Sequence, residues 1–332
     1  MTDPKLRYST GDATIDAIVR GAIGIWETTF PDRVRAYYLF GSHANGSAIP
    51  TSDIDLFVIP HGSLTSEERE RADRLGRYCA LMSPVRLETL VVDEDVLLRD
   101  GHFRVTAGSV LLYGDDLRER MPEQSFDVYV RTYAHAPSAH MTQVLRRTDC
   151  VTFPLAYPDP AGEFYGYDQP HLPHRREEHR NIAGMIATAC WAATIIVAWD
   201  ARRTVRARSE SVPMYKRSIG DEWTPFLEEL YARGKEQWHY LIPESAGDRR
   251  MLHDLCVSML AFENHYLQRF RRYLLGELSS ENDESKFIAV QRFGKVIFAD
   301  PEVTSALEAT VQAAEGPLRQ AAIETLKGMR LR

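Results

Sequence analysis

Between residues 14 and 30, apolar side chains fall at Ile15, Ile18, Val19, Ala22, Ile23 and Trp26, the spacing that lines one face of a helix. A Tyr/Leu/Phe run then predicts a short strand over 35–40, ending at Gly41. A second apolar run, 53–59, predicts another strand, which Pro60-His61-Gly62 ends. Thr65-Ser66-Glu67-Glu68 reads as a capping box opening a charged helix to about Leu81. The β-branched stretch 86–92 predicts a third strand, with one acid, Glu88, near its middle. After Gly114 the alternation of strand and helix fades. Residues 119–172 are irregular and rich in proline, and beyond 174 the periodicity is helical over 174–200, 221–240, 247–275 and 301–329. Gly316-Pro317 should interrupt the last of these. The pattern predicts an α+β domain with a small mixed sheet over 1–118, a connecting segment over 119–172, and an all-α helical bundle over 173–332.

Composition narrows the classes. The 332 residues are 44% hydrophobic and 26% charged, as in an ordinary globular protein. A net charge of −7 argues against a nucleic-acid-gripping surface, although Arg202, Arg203, Arg206 and Arg208 form a local basic run. That run can grip phosphates, or simply complement the end of a long apolar helix. The four cysteines, Cys79, Cys150, Cys190 and Cys256, are scattered, which suits a reducing compartment. The opening residues, Met1 to Arg7, carry no apolar leader, so a cytoplasmic protein is expected. Residues 182–199 run without a charge for about the length of a membrane span, but Ala, Gly and Thr predominate. A buried bundle helix is the expectation there, and no membrane partner.

Candidate chemistry concentrates in the first domain. Asp53 and Asp55 are two apart on a strand, so their side chains point the same way about 7 Å apart by Cα. Two anions held so close on a half-buried strand repel each other, and a hard divalent cation such as Mg²⁺ removes the conflict. Upstream, Gly41 lets a backbone approach phosphate closely, and Ser42 adds a hydroxyl and can cap a short helix through Asn45. Glu88 would face the same cleft if 86–92 pairs beside 53–59, either completing the metal shell or accepting a proton.

The stretch Gly41-Ser-His-Ala-Asn-Gly-Ser-Ala-Ile-Pro-Thr-Ser-Asp-Ile-Asp-Leu56 resembles the signature of the polymerase-β-like nucleotidyltransferase superfamily, above all its minimal and antibiotic-modifying branches. The resemblance spans residues 35–115. It implies a small mixed sheet, two Mg²⁺ ions with Asp53 and Asp55 as ligands and Glu88 as a further ligand or the base depending on the branch, and an NTP, with ATP favoured, held at Gly41, Ser42 and Ser52. His43 departs from the small or basic residue usual there. The following helical half is similar to that of the aminoglycoside nucleotidyltransferases that adenylylate streptomycin and spectinomycin. In these a lysine before a Tyr-containing helix contacts phosphate, and Lys216, with Tyr231 downstream, is the nearest counterpart.

Residues 151–170 carry five aromatics, three acids and no Lys or Arg, which suits a cationic or sugar-like acceptor or, equally, a strap that packs the chain. Glu163, Tyr165 and Asp168, with Glu177 and Glu178 beyond, are the candidate acceptor contacts. The expected activity is Mg²⁺-dependent transfer of NMP to a hydroxyl of a small, aminoglycoside-like molecule. Transfer to protein or tRNA, as in AMPylating or toxin–antitoxin relatives, and a non-catalytic nucleotide-binding module are the alternatives. The oligomeric state is not legible in the sequence.

Overall fold

The computed structural model describes residues 4–170 and 180–330, and the chain divides into two compact units. The first runs to Tyr129 and also takes in Thr204–Ser211. Its centre is a four-stranded sheet of order β3-β2-β1-β4, built from β1 (Val34–Phe40), β2 (Ile54–Pro60), β3 (Leu87–Val91) and β4 (Ser109–Gly114). β1 pairs antiparallel with β2 and β4, and β2 pairs parallel with β3. The sheet is therefore mixed, as the pattern of apolar runs predicts.

β1 and β2 read as continuous apolar runs because both faces of the sheet are covered. One face packs Tyr37, Leu39, Ile54, Leu56 and Val58 against Val19, Ile23 and Trp26 of α1 (Ala13–Thr29) and Ala72 and Cys79 of α2 (Ser66–Met82). On the other, Tyr38, Phe40, Phe57 and Ile59 meet Leu97 of α3 (Glu94–Asp100) and Val105 of α4 (Phe103–Gly108). Asp12 caps α1 through the amides of Thr14 and Ile15, and the Thr65/Glu68 capping box opens α2.

The second unit holds Val130–Gln169, Arg180–Arg203 and Val212–Arg332 and is chiefly helical. The charge-free helix Ala183–Ala201 is apolar and long enough to cross a membrane by length and composition. From Met185 to Ala198 every residue except Trp191 is buried within the fold. It packs against the 33-residue helix Ala246–Leu278. The structure departs from the sequence reading in several places. Helices at Phe126–Tyr133, Arg208–Ser218 and Asp283–Phe293 lie outside the ranges that the apolar periodicity predicts. Val151–Phe153 also pairs in parallel with Val296–Phe298, a small strand pair within the helical unit. Gly316-Pro317 does start a new helix, Gly316–Arg330, after Pro301–Ala313 ends.

Residues 151–169 are pinned inside this unit. Arg146 and Glu263 form a buried two-pronged ion pair at 3.0 and 2.7 Å, and the Tyr167 hydroxyl donates to Glu263 at 2.6 Å. Leu155 and Phe164 are buried as well.

Candidate active site

Strand register assembles the acids. In the parallel β2–β3 pair, Asp55 lies beside Glu88, and the Ile54 amide donates to the Arg86 carbonyl at 2.8 Å. Side chains alternate along a strand, so Asp53, Asp55 and Glu88 emerge on the face that Phe57 and Ile59 use further along. Each of the three offers a carboxylate oxygen within 4.8 Å of the others. Glu88 is the most open, its side chain 46% exposed. Burial, and then the charge of Asp53, push the Asp55 carboxyl well above the usual carboxylate range, while Arg208 and Arg104 pull it back.

The Gly41 turn is fitted to this cluster. Gly41 has φ +74°, and a Cβ there would lie 2.1 Å from Asp55 Oδ2. The space that a side chain would fill is thus the space that the carboxylate occupies. Ser42 follows in the same turn. Residues 42–46 form consecutive turns and not the short helix expected of them: Ala44 N bonds to Gly41 O, Ser47 N to Ser42 O, and Asn45 Oδ1 accepts from Ser47 N. The Asn45 side-chain turn and the positive φ of Gly46 stop helical propagation. Ser52 is buried, and its Oγ accepts from Ile49 N at 2.9 Å, closing the base of the loop. Burial lowers the pKa of the half-buried His43 ring, against the opposite pull of the Asp53 and Asp12 charges and the Ser52 backbone.

A donor set of three hard carboxylates, one of them disfavoured as a lone buried anion, suits a divalent cation of the magnesium type. Three arginines surround it. Arg86 was not singled out from the sequence, although its i, i+2 spacing to Glu88 on a strand places both on one face. Arg104 opens α4, and Arg208 belongs to the basic run and lies in the stretch that joins the first unit.

The other candidate residues lie in the second unit or outside the described residues. Lys216 pairs with Glu228 at 2.7 Å. Glu163 pairs with Arg249 and Asp168 with Arg180, each at hydrogen-bonding range. Asp168 Oδ1 is buried with no hydrogen-bond partner among the described residues. Tyr165 stacks on Tyr157 with ring centroids 4.1 Å apart. Glu177 and Glu178 lie outside the described residues.

Residues 27–118 match the model of the polymerase beta nucleotidyltransferase family. No curated protein matches the chain. Among solved structures, the chain is similar to a spectinomycin adenyltransferase, AAD(9), from Enterococcus faecialis, determined with ATP and spectinomycin. The identity is 11% and the TM-score 0.47, over 75% of this chain and 98% of that one. The paired strands, the acidic trio and the Gly41 turn all fall inside residues 27–118, the stretch that is similar to the polymerase beta nucleotidyltransferase family.

Proposed function

We infer that the protein transfers AMP from ATP to a hydroxyl of a small, aminoglycoside-like molecule in the cytoplasm, with Asp53, Asp55 and Glu88 holding Mg²⁺. The observation that carries this reading is the acidic trio gathered within 4.8 Å, with Asp55 seated in the space left by Gly41. Magnesium, when bound, would supply positive charge against the phosphates and the departing pyrophosphate. The turn amides of residues 41–46 and the Ser42 hydroxyl bind phosphate oxygens, and Ser52 keeps that loop in place from beneath. Glu88, the most open of the three acids, either completes the metal shell or, left off the metal, takes the proton from the acceptor hydroxyl. The acceptor oxygen then bonds to the α-phosphorus, and the bond from that phosphorus to the bridging oxygen breaks, releasing pyrophosphate. The rate advantage comes from positioning and electrostatics, as in other phosphoryl transfers.

For the acceptor, the chemistry of residues 151–170 is the support. Asp168 pairs with Arg180 through one oxygen and has no partner among the described residues at the other, which is assigned to a cationic group of the acceptor. Glu163 and Tyr165, and Glu177 and Glu178 beyond, extend the same assignment, and Lys216 is assigned to the nucleotide phosphates. Pyrophosphate release from ATP should be measured against a panel of aminocyclitol acceptors, spectinomycin and streptomycin first, alongside labelled ATP with cell lysate. A labelled small product supports this reading. A labelled protein or tRNA would move the acceptor to a macromolecule, and nucleotide binding without turnover would leave a binding module. Asp168→Asn and Lys216→Ala should each raise KM, for acceptor and for ATP respectively.

A further inference from the structure

Arg86 shares the face of the acidic trio. Parallel pairing sets Ile54 beside Leu87 and Asp55 beside Glu88, so Arg86 stands opposite Asp53, one step back along both strands. Four ionisable side chains thus form a two-by-two array, with Asp55 and Glu88 on the paired strands and Asp53 and Arg86 in the residues just before them. Arg86 Nη1 lies 3.8 Å from Asp53 Oδ2, and Nη2 lies 3.8 Å from Glu88 Oε2. A planar guanidinium can face two carboxylates at once, one through each terminal nitrogen. These separations are longer than those of close, hydrogen-bonded guanidinium–carboxylate pairs, which fall near 2.7–2.9 Å. The guanidinium is therefore held by charge rather than clamped. Its side chain is 33% exposed, so solvent lies on one side of it.

We propose that Arg86 is a tethered counter-cation of the acidic trio, which it keeps assembled without metal and from which the divalent ion must displace it at Asp53 and Glu88. This rests on the metal-binding reading of the trio and adds to it a residue that sets how tightly the metal is held. Arg86 is a positioning residue: it faces two of the three carboxylates at 3.8 Å and leaves Asp55 to its other neighbours. Two consequences follow from the charge arrangement. Without metal, two of three crowded carboxylates are already compensated, so the site does not fly apart. With metal, the displaced guanidinium is left at the mouth of the site, where an incoming polyphosphate can take it up. Metal and nucleotide then strengthen each other's binding, since whatever draws Arg86 away from the acids favours the cation.

The experiment is Mn²⁺ binding to the full-length protein, followed by electron paramagnetic resonance without nucleotide, for wild type, Arg86→Gln, Arg86→Lys and the double variant Asp53→Asn/Asp55→Asn. Arg86→Gln should bind Mn²⁺ roughly tenfold more tightly, the size expected when two partly exposed ion pairs no longer compete. Arg86→Lys keeps the charge on a single nitrogen that cannot face both acids, and should fall between. In chelator, Arg86→Gln should melt lower than wild type, and Mn²⁺ should raise its melting temperature by the larger amount. Mn²⁺ affinity in Arg86→Gln equal to or weaker than wild type, with the double variant unable to bind, overturns the role of Arg86 alone. Equal binding by all four proteins means that Mn²⁺ does not sit on the trio, and overturns the metal reading together with it.

Discussion

Replacing Gly41 with alanine separates two effects that a glycine can serve. At φ +74° an alanine is strained whatever surrounds it, by about 1–2 kcal/mol. The new Cβ would also start 2.1 Å from Asp55 Oδ2 and 3.1 Å from its Cγ, and real Cβ contacts do not go below 3.0 Å. The carboxylate must therefore give way by about 1 Å, and a side-chain end can do so without unfolding the sheet. A displacement of that size at a reacting centre costs on the order of 100-fold in rate. Gly46 supplies the control within the same loop: its φ is +72°, but a Cβ there meets nothing within 4 Å. Gly41→Ala and Gly46→Ala should thus lose similar stability, a few degrees in Tm, while only Gly41→Ala loses turnover on the 100-fold scale. Thermal melts and initial rates of pyrophosphate release, with ATP and a responsive aminocyclitol, measure both. Equal activities for the two variants would show that Asp55 does not depend on the space at Gly41.

Asp53→Ala and Asp55→Ala should each lower turnover at least ~100-fold with the fold retained by circular dichroism, and chelation of Mg²⁺ should do the same to wild type. His102, packed edge-on to Phe57, is pushed by burial down to about 4. The unfolded chain therefore takes up a proton near 6.5 that the folded one refuses, and stability is lost as pH falls from there toward 4. His102→Asn, which keeps a capping side chain for α4, should remove up to about 2 kcal/mol of the loss between pH 7 and 5, read by urea unfolding. In the second unit, Glu263→Ala leaves Arg146 buried without its partner and should cost about 3–5 kcal/mol by the same assay. Tyr167→Phe should cost far less, because the ion pair survives.

Much of the site was legible because its determinants are local. The i, i+2 spacing of Asp53 and Asp55 fixes their common face, and Gly41-Ser42 sits one turn upstream. Glu88 needed one non-local fact, the parallel register of β2 with β3, which the sequence suggested but could not set. Arg86 follows from the same register and was passed over because a strand-initial arginine is ordinary. Arg104 and Arg208 reach Asp55 electrostatically through tertiary packing that carries no sequence period. The loop at 42–46 defeated the helical expectation because Asn45 and Gly46 favour side-chain turns over helix. In the second unit, apolar periodicity located long helices such as Ala246–Leu278. It could not place the parallel pairing of Val151–Phe153 with Val296–Phe298, whose partners are some 145 residues apart.

The most direct measurement is a crystal structure with Mn²⁺ and a non-hydrolysable ATP analogue, the metal located by anomalous scattering. Manganese bridging Asp53 and Asp55, with the analogue's phosphates against the Gly41–Gly46 turn, is the predicted result. Manganese away from both aspartates, or phosphates remote from that turn, would contradict it.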